Sequence, residues 1–145
     1  MNNDNNIEVL QDVSAKLIDS CEGYQMCADI VENNMTLKNE FLQRKNNRNI
    51  LVNDFNAKIA SLGGEVKDSG SAAGALHRGY TKFINVFKDD EEAATDALDE
   101  GEEYLAEYIE KKRKDDGLTA DTLTLLNKAH ASAKAGERFA DFLDD

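Results

Sequence analysis

Proline is missing from all 145 residues of this chain, so no imino ring forces a helix to break. Tryptophan is missing as well, and cysteine and histidine occur only twice each. Cys21 and Cys27 are six residues apart, roughly 9 Å along a helix axis, which is too far for a disulfide within one helix. They read as small packing residues, with a reactive thiol as the alternative. Basic residues are few: 17 against 29 acidic ones leave a formal charge of −12, and nowhere do they form the footprint that phosphate binding needs. Nucleic acid is therefore excluded as a partner, and an anionic membrane surface is a poor one. No apolar run nears the ~20 residues of a membrane span. The start, Met1-Asn2-Asn3-Asp4-Asn5-Asn6, lacks the basic and apolar regions of a signal peptide, so the protein is expected in the cytoplasm.

What the chain does contain is helical periodicity. Its apolar residues step by three and four, which predicts an all-α domain with one core. The first helix, 5–32, carries Leu10, Val13, Leu17, Cys21, Tyr24, Ala28 and Val31 on one stripe. A second, 36–62, starts at Thr36 as cap with Glu40 near the capping-box position, and Gly63-Gly64 stops it. Ser71 caps a third, 72–88, with Ala72, Leu76, Tyr80, Phe83 and Phe87 along it. The fourth, 90–114, begins at Asp89-Asp90, ends in the basic turn Lys111-Lys112-Arg113-Lys114, and is closed by Gly117. Thr119 caps the fifth, 119–142. The short turn at Asn33-Asn34 makes an antiparallel hairpin of the first pair. Joining the two hairpins needs a crossover of roughly 35–40 Å for helices of about 25 residues, which the loop 63–71 and the helix 72–88 can span. Two hairpins joined by one long crossover make a ferritin-like four-helix bundle.

Leu62-Gly63-Gly64, Ser69-Gly70-Ser71, Gly74-Ala75-Leu76-His77-Arg78-Gly79-Tyr80 and Glu100-Gly101-Glu102-Glu103, with Gly23-Tyr24 and Arg48 before them, resemble a bacterial family of ferritin-like four-helix-bundle proteins catalogued as a domain of unknown function. The likeness runs over roughly residues 7–112, and the Leu-His-Arg-Gly-aromatic run is its most specific part. Tyr80 stands where tryptophan is the commoner residue. The resemblance implies the fold and a distant kinship with stress-associated ferritin-like proteins, and it implies no activity.

A carboxylate-bridged di-iron site would need one Glu from each of two helices and a Glu-x-x-His pair from each of the other two. Glu22 and Glu102 fall near mid-bundle as single glutamates. On the fifth helix the slot reads Asn127-Lys128-Ala129-His130, with the His and without the Glu. On the second helix it holds Arg44 to Arg48, which contribute no ligand. Arg44 and Arg48 sit on the seam that Leu37, Phe41, Leu51 and Phe55 otherwise fill, so they are expected to pair with carboxylates, Asp19, Glu22 and Glu102 being nearest in depth, or else to snorkel outward. His77, beside Arg78, reads as a hydrogen-bonded packing residue, with a ligand or proton carrier as the alternative. The expectation is thus a buried polar network of Asp19, Glu22, Arg44, Arg48, Glu102, His77 and Arg78. The alternative is an iron or manganese site using Glu22, Glu102 and His130.

Gly23 and Gly101 inside helices imply a close helix approach or room for a bulky neighbour such as Tyr24, Tyr80, Tyr104 or Tyr108, a small-molecule cavity being the alternative. The acidic runs read as solvated faces or helix-start charges. No nucleophilic triad, phosphate loop or clustered Cys/His site is present. The leading function is a non-catalytic bundle acting through self-association or partner binding with no cofactor, and Phe83, Ile84 and Phe87 suggest a homodimer.

Overall fold

The computed structural model describes residues 3–68, 70 and 90–144, and all regular structure among them is helical. Four helices form: α1 (Asn3–Ile30), α2 (Met35–Ser61), α3 (Glu91–Lys112) and α4 (Ala120–Asp144). They match the first, second, fourth and fifth expected helices to within two residues at every end. The helix expected over 72–88, with His77, Arg78, Tyr80, Phe83, Ile84 and Phe87, lies outside the described residues.

Local chemistry sets the helix ends. Asn34, rather than Thr36, caps α2, because its side-chain oxygen reaches the amide of Leu37 three residues on (3.1 Å). Asp90 does the same for α3 through Ala93 N (2.9 Å). The Thr119 hydroxyl accepts from Thr122 N (3.3 Å) at the start of α4, as expected. Gly63 and Gly117 take φ of +86° and +77°, a left-handed conformation that glycine adopts without strain. Gly63 follows the Leu62 C-cap of α2, whereas α3 already ends at Lys112 with Arg113 as its C-cap, and Gly117 turns the chain within the loop to α4 rather than closing α3.

Contacts between helices give the directions. Along α1 and α3, Asp12 meets Lys112, Tyr24 meets Glu102, and Cys27 meets Ala94, so the two run antiparallel. Along α2 and α4, Lys58 meets Asp121 and Phe41 meets Phe139, again antiparallel. The order around the bundle is α1, α2, α4, α3, with α2 and α3 parallel on one diagonal. Gly64 rests on the first turns of α1, where a Cβ would fall 2.6 Å from Ile7 Cγ2. Asn34 Nδ2 donates to Glu91 at the other end (3.2 Å). The described end of α2 and the start of α3 therefore lie at opposite ends of the bundle.

Two apolar clusters fill the interior. Around the start of α1, Val9, Leu10, Val13 and Leu17 pack with Phe55, Ile59, Ile109 and Leu126. Toward the far end, Tyr24, Cys27, Ala28 and Val31 pack with Phe41, Ala94, Leu98 and Ala140. Full burial of a large apolar side chain contributes roughly 1.5–3 kcal/mol, so the two clusters supply most of the driving force for folding. α4 turns small residues inward, Ala129, Ala133, Gly136 and Ala140, and so leaves space at mid-bundle for larger groups from the other helices.

Candidate functional site

Between the two apolar clusters lies a polar layer centred on Arg48, which is 3 % exposed, and Glu102, which is 1 % exposed. The guanidinium grips the carboxylate with two parallel bonds, Nη1 to Oε1 at 2.5 Å and Nη2 to Oε2 at 2.8 Å. This fork geometry is the strong form of a charge-assisted pair. The remaining donors of Arg48 also find acceptors. Nη1 donates to Ser20 Oγ (3.2 Å), Nε to Ser132 Oγ (3.3 Å), and Nη2 to Ser132 Oγ and the Ser132 carbonyl (3.0 and 3.1 Å). Tyr24 donates its hydroxyl to Glu102 Oε2 (2.9 Å) and sets its ring 5.5 Å from the guanidinium carbon. All four helices contribute: α1 gives Ser20 and Tyr24, α2 Arg48, α3 Glu102 and α4 Ser132.

Two ionic groups this deep are stable only because each satisfies the other. Burial alone would weaken the charge on Arg48, but the hydrogen bonds and negative charge of Glu102 outweigh it and hold the guanidinium protonated more firmly than in water. Burial, then the charge of Glu102, pushes the Tyr24 phenol upward, so it serves as a hydrogen donor at any ordinary pH. Gly136 completes the layer. A Cβ there would lie 1.7 Å from Glu102 Oε2 and 2.9 Å from the Tyr24 hydroxyl.

Of the residues that the sequence nominates, Arg48 and Glu102 are brought together and the others stand apart. Glu22 is exposed on the outer side of α1 and belongs neither to the network nor to a ligand set. Asp19 is half-buried against Gly70, where the missing side chain makes room for it: a Cβ would fall 1.9 Å from Oδ1. Arg44 is half-buried with its guanidinium carbon 4.0 Å from the centre of the Phe139 ring, a cation–π stack that answers its charge without a carboxylate, while its Nε is buried with no hydrogen-bond partner. His77 and Arg78 lie outside the described residues. His130 faces Glu110 at 3.4 Å, not Glu102, and burial followed by the charge of Arg113 lowers its pKa.

The metal ligand set of Glu22, Glu102 and His130 is therefore not assembled. Both oxygens of Glu102 are engaged by hydrogen-bond donors, and no group of three or more His, Cys, Asp or Glu among the described residues is arranged to hold a metal ion. The donors present fit a guanidinium rather than a di-iron centre.

Gly23 and Gly101 line a groove of about 270 Å³ between α1 and α3, together with Met26, Cys27 and Leu98, and Glu102 forms part of its wall. Among the described residues nothing lies within 4 Å of a Cβ at either glycine, so neither serves a close helix approach there. The two cysteines are buried, and burial raises Cys21 to about 11 and Cys27 to about 12, which makes them packing residues rather than reactive thiols.

Sequence reading missed Ser20, Ser132 and Gly136. The sequence offers little signal for the last two, since Ser132 and Gly136 stand one turn apart among the small inward residues Ala129, Ala133 and Ala140.

A family model described as Domain of unknown function (DUF2383) matches residues 5–115. No curated protein and no solved structure matches the chain. The matched region holds Ser20, Tyr24, Arg48 and Glu102, while Ser132 and Gly136 fall beyond it.

Proposed function

The chain belongs to the family described as Domain of unknown function (DUF2383), and we propose that it is a ferritin-like bundle in which a guanidinium–carboxylate centre stands where a di-iron cluster would sit. On this reading it is non-catalytic, carries no metal, and acts through self-association or partner binding, in stress physiology among other settings. One observation carries the proposal: Arg48 and Tyr24 use both oxygens of Glu102 at the middle of the bundle. A fixed positive charge there supplies the neutralisation that a cation would otherwise provide, and it cannot leave or change oxidation state. The ferritin-like assignment draws support from the diagonal placement of α2 and α3, which requires an end-to-end connection between them. Among the described residues no helix is long and apolar enough to cross a membrane.

Elemental analysis after anaerobic addition of iron(II) or manganese(II), with unbound metal removed, tests this reading. The expected result is no retained metal and an unchanged melting temperature. Retention of one or two equivalents with a rise in melting temperature would overturn it. The homodimer is part of the same proposal, and a monomer mass in sedimentation at every dilution would remove that part.

A further inference from the structure

At the end of the bundle where α2 and α3 begin and α4 finishes, a mouth of about 890 Å³ opens, with Leu37, Phe139, Phe142 and Leu143 as its apolar lining beside Asn34, Thr36 and Thr95. Leu37, Phe139 and Leu143 pack against the nearby apolar cluster and are only partly covered. Phe142 stands clear of it, 76 % exposed, more than any other large hydrophobic residue among those described. An isolated surface phenylalanine needs no explanation, but one that rims a cavity with three apolar neighbours does.

The charged residues that line this mouth are all acidic, while Arg44 stacks on the Phe139 ring without lining the cavity. Glu40 comes from α2, Glu91 and Glu92 come from α3, all three are exposed, and no basic side chain among the described residues lines the cavity. Glu91 and Glu92 are also well placed at a helix start. Glu40 is more than a turn into α2, where the helix dipole gives it little. Asn34 and Asp90 each cap one opening amide, of Leu37 and Ala93, and the three carboxylates at the rim oppose an anionic partner at this end. A second copy meeting end to end would bring carboxylates against carboxylates.

We propose that this end of the bundle docks a basic amphipathic helix from another protein, its apolar side chains seated on Phe139 and Phe142 and its Lys or Arg residues at the Glu40, Glu91 and Glu92 rim. The proposal goes beyond the reading of the Arg48 centre and uses none of its members, so either can fail without the other.

A fluorescein-labelled amphipathic helical peptide of leucine and lysine, titrated with the full chain and followed by anisotropy, tests it. A formal charge of −12 attracts any cationic peptide weakly, so the decisive variant is Phe142→Asp, which makes the protein more acidic while removing the exposed apolar ring at the rim. Docking predicts that Phe142→Asp weakens binding by about tenfold or more, against the direction of simple charge attraction. The pair Glu40→Gln/Glu92→Gln should also weaken it, whereas Glu103→Gln/Glu107→Gln, the same charge change on the flank of α3, should leave affinity within about twofold. These side chains are exposed, so equal melting temperatures are expected for all variants. Absence of binding, an unchanged or tighter Phe142→Asp, or equal loss from the rim and flank pairs would each overturn the proposal. So would a dimer that Phe142→Asp converts to monomer, because the face would then belong to self-association.

Discussion

Replacing Arg48 with methionine keeps most of the side-chain volume and removes the charge. It leaves the Glu102 carboxylate, 1 % exposed, with the Tyr24 hydroxyl as its remaining described donor, and it strips Ser20 and Ser132 of their bonds to the guanidinium. Breaking a buried pair from one side costs about 3–5 kcal/mol, because the surviving charge stays in a low-dielectric interior. Against a typical domain stability of about 5–15 kcal/mol, that is roughly a fifth or more of the total. The melting temperature should fall by roughly 6–20 °C, at about 2–4 °C per kcal/mol for a chain of this size. The double variant Arg48→Met/Glu102→Leu removes both charges and should recover most of the loss, since apolar replacement of a whole buried pair is often neutral or stabilising. Its residual deficit comes from the Tyr24 hydroxyl, which loses its acceptor at a cost of about 1–3 kcal/mol. Urea unfolding followed by circular dichroism at 222 nm gives all four corners of the cycle. A single variant that loses less than about 1 kcal/mol, or a double variant as damaged as the sum of the two singles, would refute the reasoning.

The glycines separate by environment. Gly136→Ala should destabilise despite the better helix propensity of alanine, because its Cβ meets a Glu102 carboxylate that Arg48 holds fixed, whereas Gly101→Ala should be neutral or stabilise by up to about 1 kcal/mol. Thermal melts of the two variants check both signs. With thiols raised to about 11 and about 12, Cys21 and Cys27 should react with Ellman's reagent at pH 8 far more slowly in the folded protein than in urea; rapid native labelling would contradict their burial. His130 has a folded pKa below its usual 6.5, so its contribution is fully present above about pH 6.5 and is lost as pH falls through the folded value, when the unfolded chain takes up the proton first. The drop in melting temperature between pH 7.5 and 5.5 should accordingly be smaller in His130→Gln than in the wild type.

The helices were legible because their stripes are regular and the turns within each hairpin are short and polar or glycine-rich. Arg48 was legible for the opposite reason, as a charge on a seam otherwise filled by Leu and Phe. The expected partner on α1, Glu22, fails because equal depth along the bundle does not fix the direction in which a side chain points. At about 100° per residue, Glu22 points about 140° away from Leu17 on the buried stripe, whereas Ser20 is only about 60° away. The same arithmetic places Glu102 on the stripe of Leu98 and Leu105, where its depth matches that of Arg48. Serine and glycine at positions 132 and 136 look like ordinary small packing residues until the guanidinium and carboxylate they accommodate are in place. The α2 cap was misassigned because Thr36 and Asn34 are both competent, and only the backbone geometry chooses the residue that starts the turn.

The polar layer also bears on time. Its bonds join residues far apart in the chain, 54 positions from Arg48 to Glu102, 78 from Tyr24 to Glu102 and 84 from Arg48 to Ser132. Each hairpin can form from local contacts, while these bonds close only after the two hairpins have docked. Weakening them, as in Ser132→Ala, should steepen the loss of the folded form and leave the rate of its formation nearly unchanged, a split that stopped-flow unfolding and refolding would resolve. The centre thus acts as a late-closing latch that governs how long a folded molecule lasts more than how quickly one is made.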